Sequence, residues 1–193
     1  AILVNGEIYN FQPLRDDLEY RGYLFSSFSD SEVVLHGYLH YGIDFVEKLN
    51  GMFAIAIWDE RTKKLFVVRD RLGIKPVYYT EAPDAFLFAS EIKALLAHPE
   101  VGKRPDEPLL LAFLAWGVLD HTEGTMFEGI RQLRPAHRIT FKRPGGGNPE
   151  RYWDLAMNSL PGQPFPEEDE RAARAFRDLL TDAIRIHLRS DVP

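Results

Sequence analysis

No cysteine occurs among the 193 residues. Disulfides, thiolate metal sites and cysteine nucleophiles are thereby excluded for the residues shown. A basic block is also missing: Lys and Arg are scattered, and the formal net charge is -6. Nucleic acid and an anionic membrane are therefore not expected as partners. No apolar run is long enough to span a bilayer. The opening Ala1-Ile2-Leu3-Val4 is interrupted by Asn5-Gly6-Glu7 far too soon for a secretory signal, so the expected location is cytoplasmic. Methionine is absent from the first position, and the chain opens inside what reads as a strand. It reads as a piece of something longer. What is present is an ordinary globular composition, 45% hydrophobic, 27% charged and 12% aromatic. That suffices for one good core and the start of a second unit.

The pattern of apolar residues and turn signals predicts the elements. Ala1 to Val4 is expected as a buried strand that ends at the Asn5-Gly6 turn signal. Phe11 to Arg21 reads as a helix with Phe11, Leu14 and Leu18 on one face, and Tyr23 to Phe25 as a short strand. Ser31 to Tyr41 reads as a second helix, capped by Asp30 and burying Val34, Leu35, Tyr38 and Leu39, with Gly42 as its stop. Gly51 to Trp58 and Leu65 to Arg69 form a hairpin buried on both faces. Val77 to Tyr79 pairs with Ala85 to Ala89. Helices follow at Ser90 to Ala97 and about Pro108 to Trp116, then a strand at His137 to Phe141. Pro144 to Pro149 is a loop. Three prolines and a glycine over Leu160 to Pro166 read as a linker, and Glu167 to Arg189 as a long helix. The boundary is expected near residue 155, with one domain over 1–155 and a linker plus the first helix of another over 156–193.

Chemistry concentrates at Asn5-Gly6-Glu7. A strand ending in Asn-Gly brings a side-chain amide and an unhindered backbone N–H to one point. Two such donors can stabilise negative charge developing on an attacked carbonyl. Glu7 adds a carboxylate. The structural alternative is a hairpin turn, for which Asn-Gly is a common signal. Asp30 either caps the helix behind it or holds the ammonium group of an amino acid. Asp70 to Pro76 and Phe88 to Leu95 are locally a charged turn and a strand entering a capped helix. His36 and His40 stand one helical turn apart, but no third ligand is near and no metal is assigned. No Lys-Ser or Lys-Thr follows the glycine loop, so it is not a phosphate cradle.

Several segments, taken in order, resemble the glutaminase half of class II amidotransferases, specifically the asparagine synthetase family. They are Asn5-Gly6-Glu7-Ile8-Tyr9-Asn10, Ser29-Asp30-Ser31-Glu32-Val33, Leu49-Asn50-Gly51-Met52-Phe53-Ala54, Arg69-Asp70-Arg71-Leu72-Gly73-Ile74-Lys75-Pro76, Phe88-Ala89-Ser90-Glu91-Ile92-Lys93-Ala94-Leu95 and Leu188-Arg189-Ser190-Asp191-Val192-Pro193. The resemblance implies an α+β fold of N-terminal nucleophile hydrolase type, two stacked antiparallel sheets flanked by helices, followed by a linker and the first helix of a synthetase domain. It implies that an N-terminal cysteine attacks the glutamine side-chain amide with its own α-amine as base, and that water hydrolyses the thioester after ammonia leaves. Asn5 and Gly6 match the oxyanion hole. Glu7 and Asp30 match positions that bind glutamine, with Asp30 on the ammonium.

Ammonia then passes to a covalently continuous synthetase domain, where ATP and magnesium activate aspartate. No cofactor is expected in this chain itself. The nucleophile, the arginine expected on the glutamine carboxylate and the Ser-Gly-Gly-Leu-Asp-Ser pyrophosphate loop are not among these residues. The chain alone is therefore expected to be inactive. Room is left for a homodimer, for an amidotransferase-like binding or regulatory domain without a nucleophile, and for a related synthetase with another acceptor.

Overall fold

The structure, a computed structural model, describes residues 1–142, 147–155 and 170–188. The chain divides into two units, Ala1–Asp154 and Leu155–Pro193. In the first, strands β1 (Ile2–Ile8), β2 (Gly51–Asp59), β3 (Lys64–Arg69), β7 (His137–Lys142) and β8 (Pro149–Arg151) form a five-stranded antiparallel sheet in the order β1-β2-β3-β7-β8. Strands β4 (Tyr78–Ala82), β5 (Ala85–Ala89) and β6 (Arg131–Gln132) form a three-stranded antiparallel sheet in the order β5-β4-β6. The helices are α1 (Phe11–Tyr20), α2 (Asp30–Tyr41), α3 (Ile92–Leu96) and α4 (Glu107–Trp116), with a 3-10 helix at Gly42–Lys48.

Strand alternation turns these elements into layers, because successive side chains on a strand point to opposite faces. On β2, Phe53, Ile55 and Ile57 pack with Leu18 of α1 and with Val33 and Val34 of α2. Ala54 and Ala56 face the other way and meet Tyr79, Phe86 and Phe88 of the smaller sheet and Val77 just before β4. On that sheet Tyr78, Leu87 and Ala89 point outward against Ile92, Leu95 and Leu96 of α3. The order is helix, sheet, sheet, helix, the α+β sandwich of two antiparallel sheets that the sequence implied. Each large apolar side chain fully buried in it, such as Phe45 or Phe53, contributes about 1.5–3 kcal/mol.

Most expected elements form, and several differ. Strand β1 does not stop at Asn5-Gly6; it runs through both to Ile8, with Asn5 opposite Ala54 and Gly6 opposite Phe53. It is an edge strand, and its residues alternate in exposure instead of being buried throughout. Tyr23 to Phe25 is no strand; its rings pack instead on His36 and His40. Helix α2 is capped by Ser29, whose side chain accepts from the Ser31 N–H. It buries Val33, Val34 and Gly37, while Leu39 is exposed. Helix α3 begins at Ile92, and Glu91 at its N-cap makes no side-chain capping bond. The 3-10 helix and the short strands β6 and β8 carry too little pattern to be read from sequence. The glycine loop gives way to β8 at Pro149, and its residues 144–146 lie outside the described ones. So do the proline-rich stretch over 160–166 and the ends of the last helix, which is described as α5 (Glu170–His187).

Candidate active site

Asn5, Gly6 and Glu7 sit side by side on β1. Leu3, Asn5 and Glu7 lie opposite Ala56, Ala54 and Met52, so they share the sheet face that looks toward the smaller sheet. A cavity of about 290 Å³ opens on that face, and Val4, Asn5, Ala54, Val77, Phe88 and Ser90 are among its lining residues. The Asn5 Nδ2 donates to Ser90 Oγ at 3.0 Å. This bond joins the edge of one sheet to the end of β5 in the other.

Gly6 has φ +147°, and a Cβ there would lie 1.9 Å from the Met52 carbonyl oxygen and 2.7 Å from the Phe53 Cα. The absent Cβ at Gly6 therefore allows the close approach of the neighbouring strand β2. Asp30 does not cap its helix. Its Oδ2 accepts the Ile8 N–H at 2.9 Å, which anchors the end of β1 to the start of α2. A carboxylate has about four lone-pair directions, so this bond leaves acceptor capacity on Asp30. Thus Asn5, Gly6 and Glu7 are brought together on one strand, and Asp30 is tied to the same strand two residues past Gly6.

The surrounding frame is held by groups that the sequence showed only as a fingerprint. Asp70 is fully buried. Its carboxylate accepts the N–H groups of Phe53, Leu72, Ile74 and Lys75 at 3.3, 3.1, 3.0 and 2.9 Å. Arg69 beside it donates to the carbonyls of Lys75, Gly73 and Leu133 at 2.8, 2.7 and 2.6 Å. Burial holds the Arg69 guanidinium below its ordinary pKa. Tyr152 donates to the Arg69 carbonyl at 2.8 Å, and burial raises its hydroxyl well above the usual range. These bonds fix the turn that follows β3 against β2, the strand on which β1 rests. His36 stands 3.6 Å from the Glu32 carboxylate among the rings of Tyr23 and Phe25. No cluster of three or more His, Asp or Glu that could hold a metal occurs among the described residues. No helix among them is long and apolar enough to cross a membrane.

The fold matches solved amidotransferase structures. The glutamine phosphoribosylpyrophosphate amidotransferase from B. subtilis, complexed with ADP and GMP, aligns with a TM-score of 0.54 and 24% identity over 79% of this chain and 29% of that one. The helix, sheet, sheet, helix sandwich is thus a fold shared with that enzyme. Among proteins of known sequence, asparagine synthetase [glutamine-hydrolyzing] 3 of Bacillus subtilis is 43% identical over 194 residues, covering 100% of this chain and 30% of that protein. Amidase chry2 of Gibberella zeae is 36% identical over 192 residues, covering 99% of this chain and 27% of that protein. The chain spans less than a third of the length of these relatives. Residues 1–153 match the family model of the glutamine amidotransferase domain, and the chain belongs to that family.

Proposed function

We propose that this chain is the glutaminase part of a glutamine-dependent asparagine synthetase, releasing ammonia from glutamine for ATP-dependent amidation of aspartate. The observation that carries the reading is its identity of 43% with asparagine synthetase [glutamine-hydrolyzing] 3 of Bacillus subtilis along the whole chain. In this reading a cysteine from outside these residues attacks the side-chain amide carbon of glutamine. Negative charge gathers on the amide oxygen, and Asn5 Nδ2 and the Gly6 N–H stabilise it. Asp30 takes the substrate ammonium on its remaining lone pairs, and Glu7, on the same strand face as Asn5, holds a second backbone group of glutamine. The C–N bond then breaks, ammonia leaves, and water hydrolyses the thioester. ATP and magnesium act in the synthetase part, which is covalently continuous with this one. A cytoplasmic location and room for a homodimer go with this reading.

The full-length protein tests it, with glutamine-driven and ammonia-driven synthesis run side by side. Asn5→Ala lowers the glutamine-driven turnover by about a hundred- to a thousandfold. Asp30→Ala chiefly raises KM for glutamine. Both variants keep ammonia-driven synthesis. If both nitrogen sources fail in parallel with a falling Tm, Asp30 merely anchors β1 and Asn5 is a strand residue, and the assignment is wrong. The similarity to amidase chry2 at 36% favours a second reading, a synthetase of the same build with a different acceptor. Assay of the full-length protein with aspartate decides between them: asparagine formation supports the first reading, and its absence alongside active glutamine hydrolysis supports the second.

A further inference from the structure

Ser90 sits in a segment whose pattern assigns it to the start of a helix. The structure releases it from that task. Helix α3 starts two residues later, and its N-cap position is Glu91, in extended backbone at φ -135° and ψ 136°. The Ser90 hydroxyl instead accepts the Asn5 Nδ2–H at 3.0 Å, across 85 residues of sequence. Both residues line the same cavity between the sheets. Asn5 lies on an edge strand, with its neighbour on the same face, Leu3, largely exposed at 67%. Packing around the amide is therefore thin, and a hydrogen bond is what sets its rotation.

That rotation matters because the terminal torsion of asparagine is broad and roughly two-fold. One setting points two N–H donors, the other a carbonyl acceptor. An oxyanion gains from the first and is repelled by the second. The nitrogen carries two hydrogens; Ser90 engages one and leaves the other for the reaction. From this geometry, and resting on the glutaminase reading above, we infer that Ser90 is a positioning residue for the oxyanion hole: its hydroxyl fixes the Asn5 amide in the donor orientation before substrate arrives. A donor held in advance needs no reorganisation at the moment of reaction. The same bond ties the edge of the larger sheet to the smaller one, so the hole is completed by a residue from the opposite sheet.

The test is a double-mutant cycle in the full-length protein. Ser90→Ala lowers kcat for glutamine hydrolysis by about ten- to a hundredfold, less than loss of the donor itself. KM for glutamine stays within about twofold and ammonia-driven synthesis is unchanged, because the ground state and the other half-reaction do not use the donor. Ser90→Thr, which keeps the hydroxyl, stays close to the wild-type rate. Ser90→Cys keeps the volume with a weak acceptor and shows the kcat loss even if the alanine variant folds badly. In the Asn5→Ala background Ser90→Ala adds nothing. An unchanged kcat in both Ser90→Ala and Ser90→Cys, or an equal loss with and without Asn5, overturns the inference. If Asn5→Ala alone leaves glutamine hydrolysis intact, the glutaminase assignment of Asn5 fails, and Ser90 has nothing to position.

Discussion

A methyl group at position 6 has nowhere to go. The ideal Cβ of any residue there lies 1.9 Å from the Met52 carbonyl oxygen, and the backbone φ of +147° is one that side chains disfavour. Gly6→Ala must push β1 off β2 or rotate the chain out of register. The clash costs about 1–3 kcal/mol and the backbone strain about 1–3 kcal/mol more. A thermal melt of the chain should show Tm lowered by several degrees, since about 2–4 °C accompanies each kcal/mol in a protein of this size. Asn5 and Glu7 move with the strand, so on the proposed glutaminase reading glutamine use in the full-length protein falls as well. An alanine variant that melts with the wild type would mean that β1 is not seated on β2 as described. Asp30 supports the same strand from the other side through the Ile8 N–H, so β1 is held both by β2 and by the start of α2.

The segment between α1 and α2 has no regular ladder, so its donors need other partners. Glu32, in the first turn of α2, supplies them. Its carboxylate accepts the N–H of Ser26 at 2.8 Å, the N–H of Ser27 at 2.7 Å and the Ser27 hydroxyl at 2.6 Å. Arg15 reaches the same segment from α1, donating to the Ser27 carbonyl at 2.7 Å and lying over the Phe25 ring. The Ser27 hydroxyl and then the Ser26 N–H hold the Glu32 pKa down, from 4.5 to about 2. A carboxylate whose folded pKa is depressed contributes stability above its unfolded pKa and loses it as pH falls through the folded one. The clamp is therefore complete at neutral pH and disappears between about 4.5 and about 2. Glu32→Gln should be less stable than wild type at neutral pH, and the two urea midpoints should converge as pH falls through that window. A constant gap across it would show that the charge of Glu32 does not hold the segment.

At the scale of the molecule, helices α4 and α5 each carry several apolar side chains that meet solvent. In α4, Leu111, Leu114 and Trp116 are exposed. In α5, Phe176, Leu179, Leu180 and Ile184 are exposed, with Leu188 just beyond its end, and together they form a stripe at helical spacing. A stripe of this kind seeks burial. Amide exchange of the purified chain should show weak protection over Ala173 to Leu188 while it is monomeric, or self-association as concentration rises. Strong protection of that segment in a proven monomer would show that the stripe is already satisfied.

What the sequence determined by itself is local. The helical spacing of Phe11, Leu14 and Leu18 placed α1, and the unbroken run from Gly51 to Trp58 with its polar turn placed the β2–β3 hairpin, because each signal is complete within a dozen residues. Asn5, Gly6, Glu7 and Asp30 were legible as candidate site residues for the same reason: their donor and acceptor types are fixed by residue identity. Only the tertiary structure decided how they are used. A turn signal at Asn5-Gly6 yields to a continuous strand because β2 offers a full ladder of partners. Ser29 and Asp30 are equally able to cap a helix. Ser29 does so because the Ile8 N–H of β1, 22 residues away, engages the Asp30 carboxylate. Strands β6 and β8 exist only through their pairing with β4 and β7. Ser90 and Asn5 meet because two sheets stack, and no local pattern encodes a contact between residues that distant in sequence.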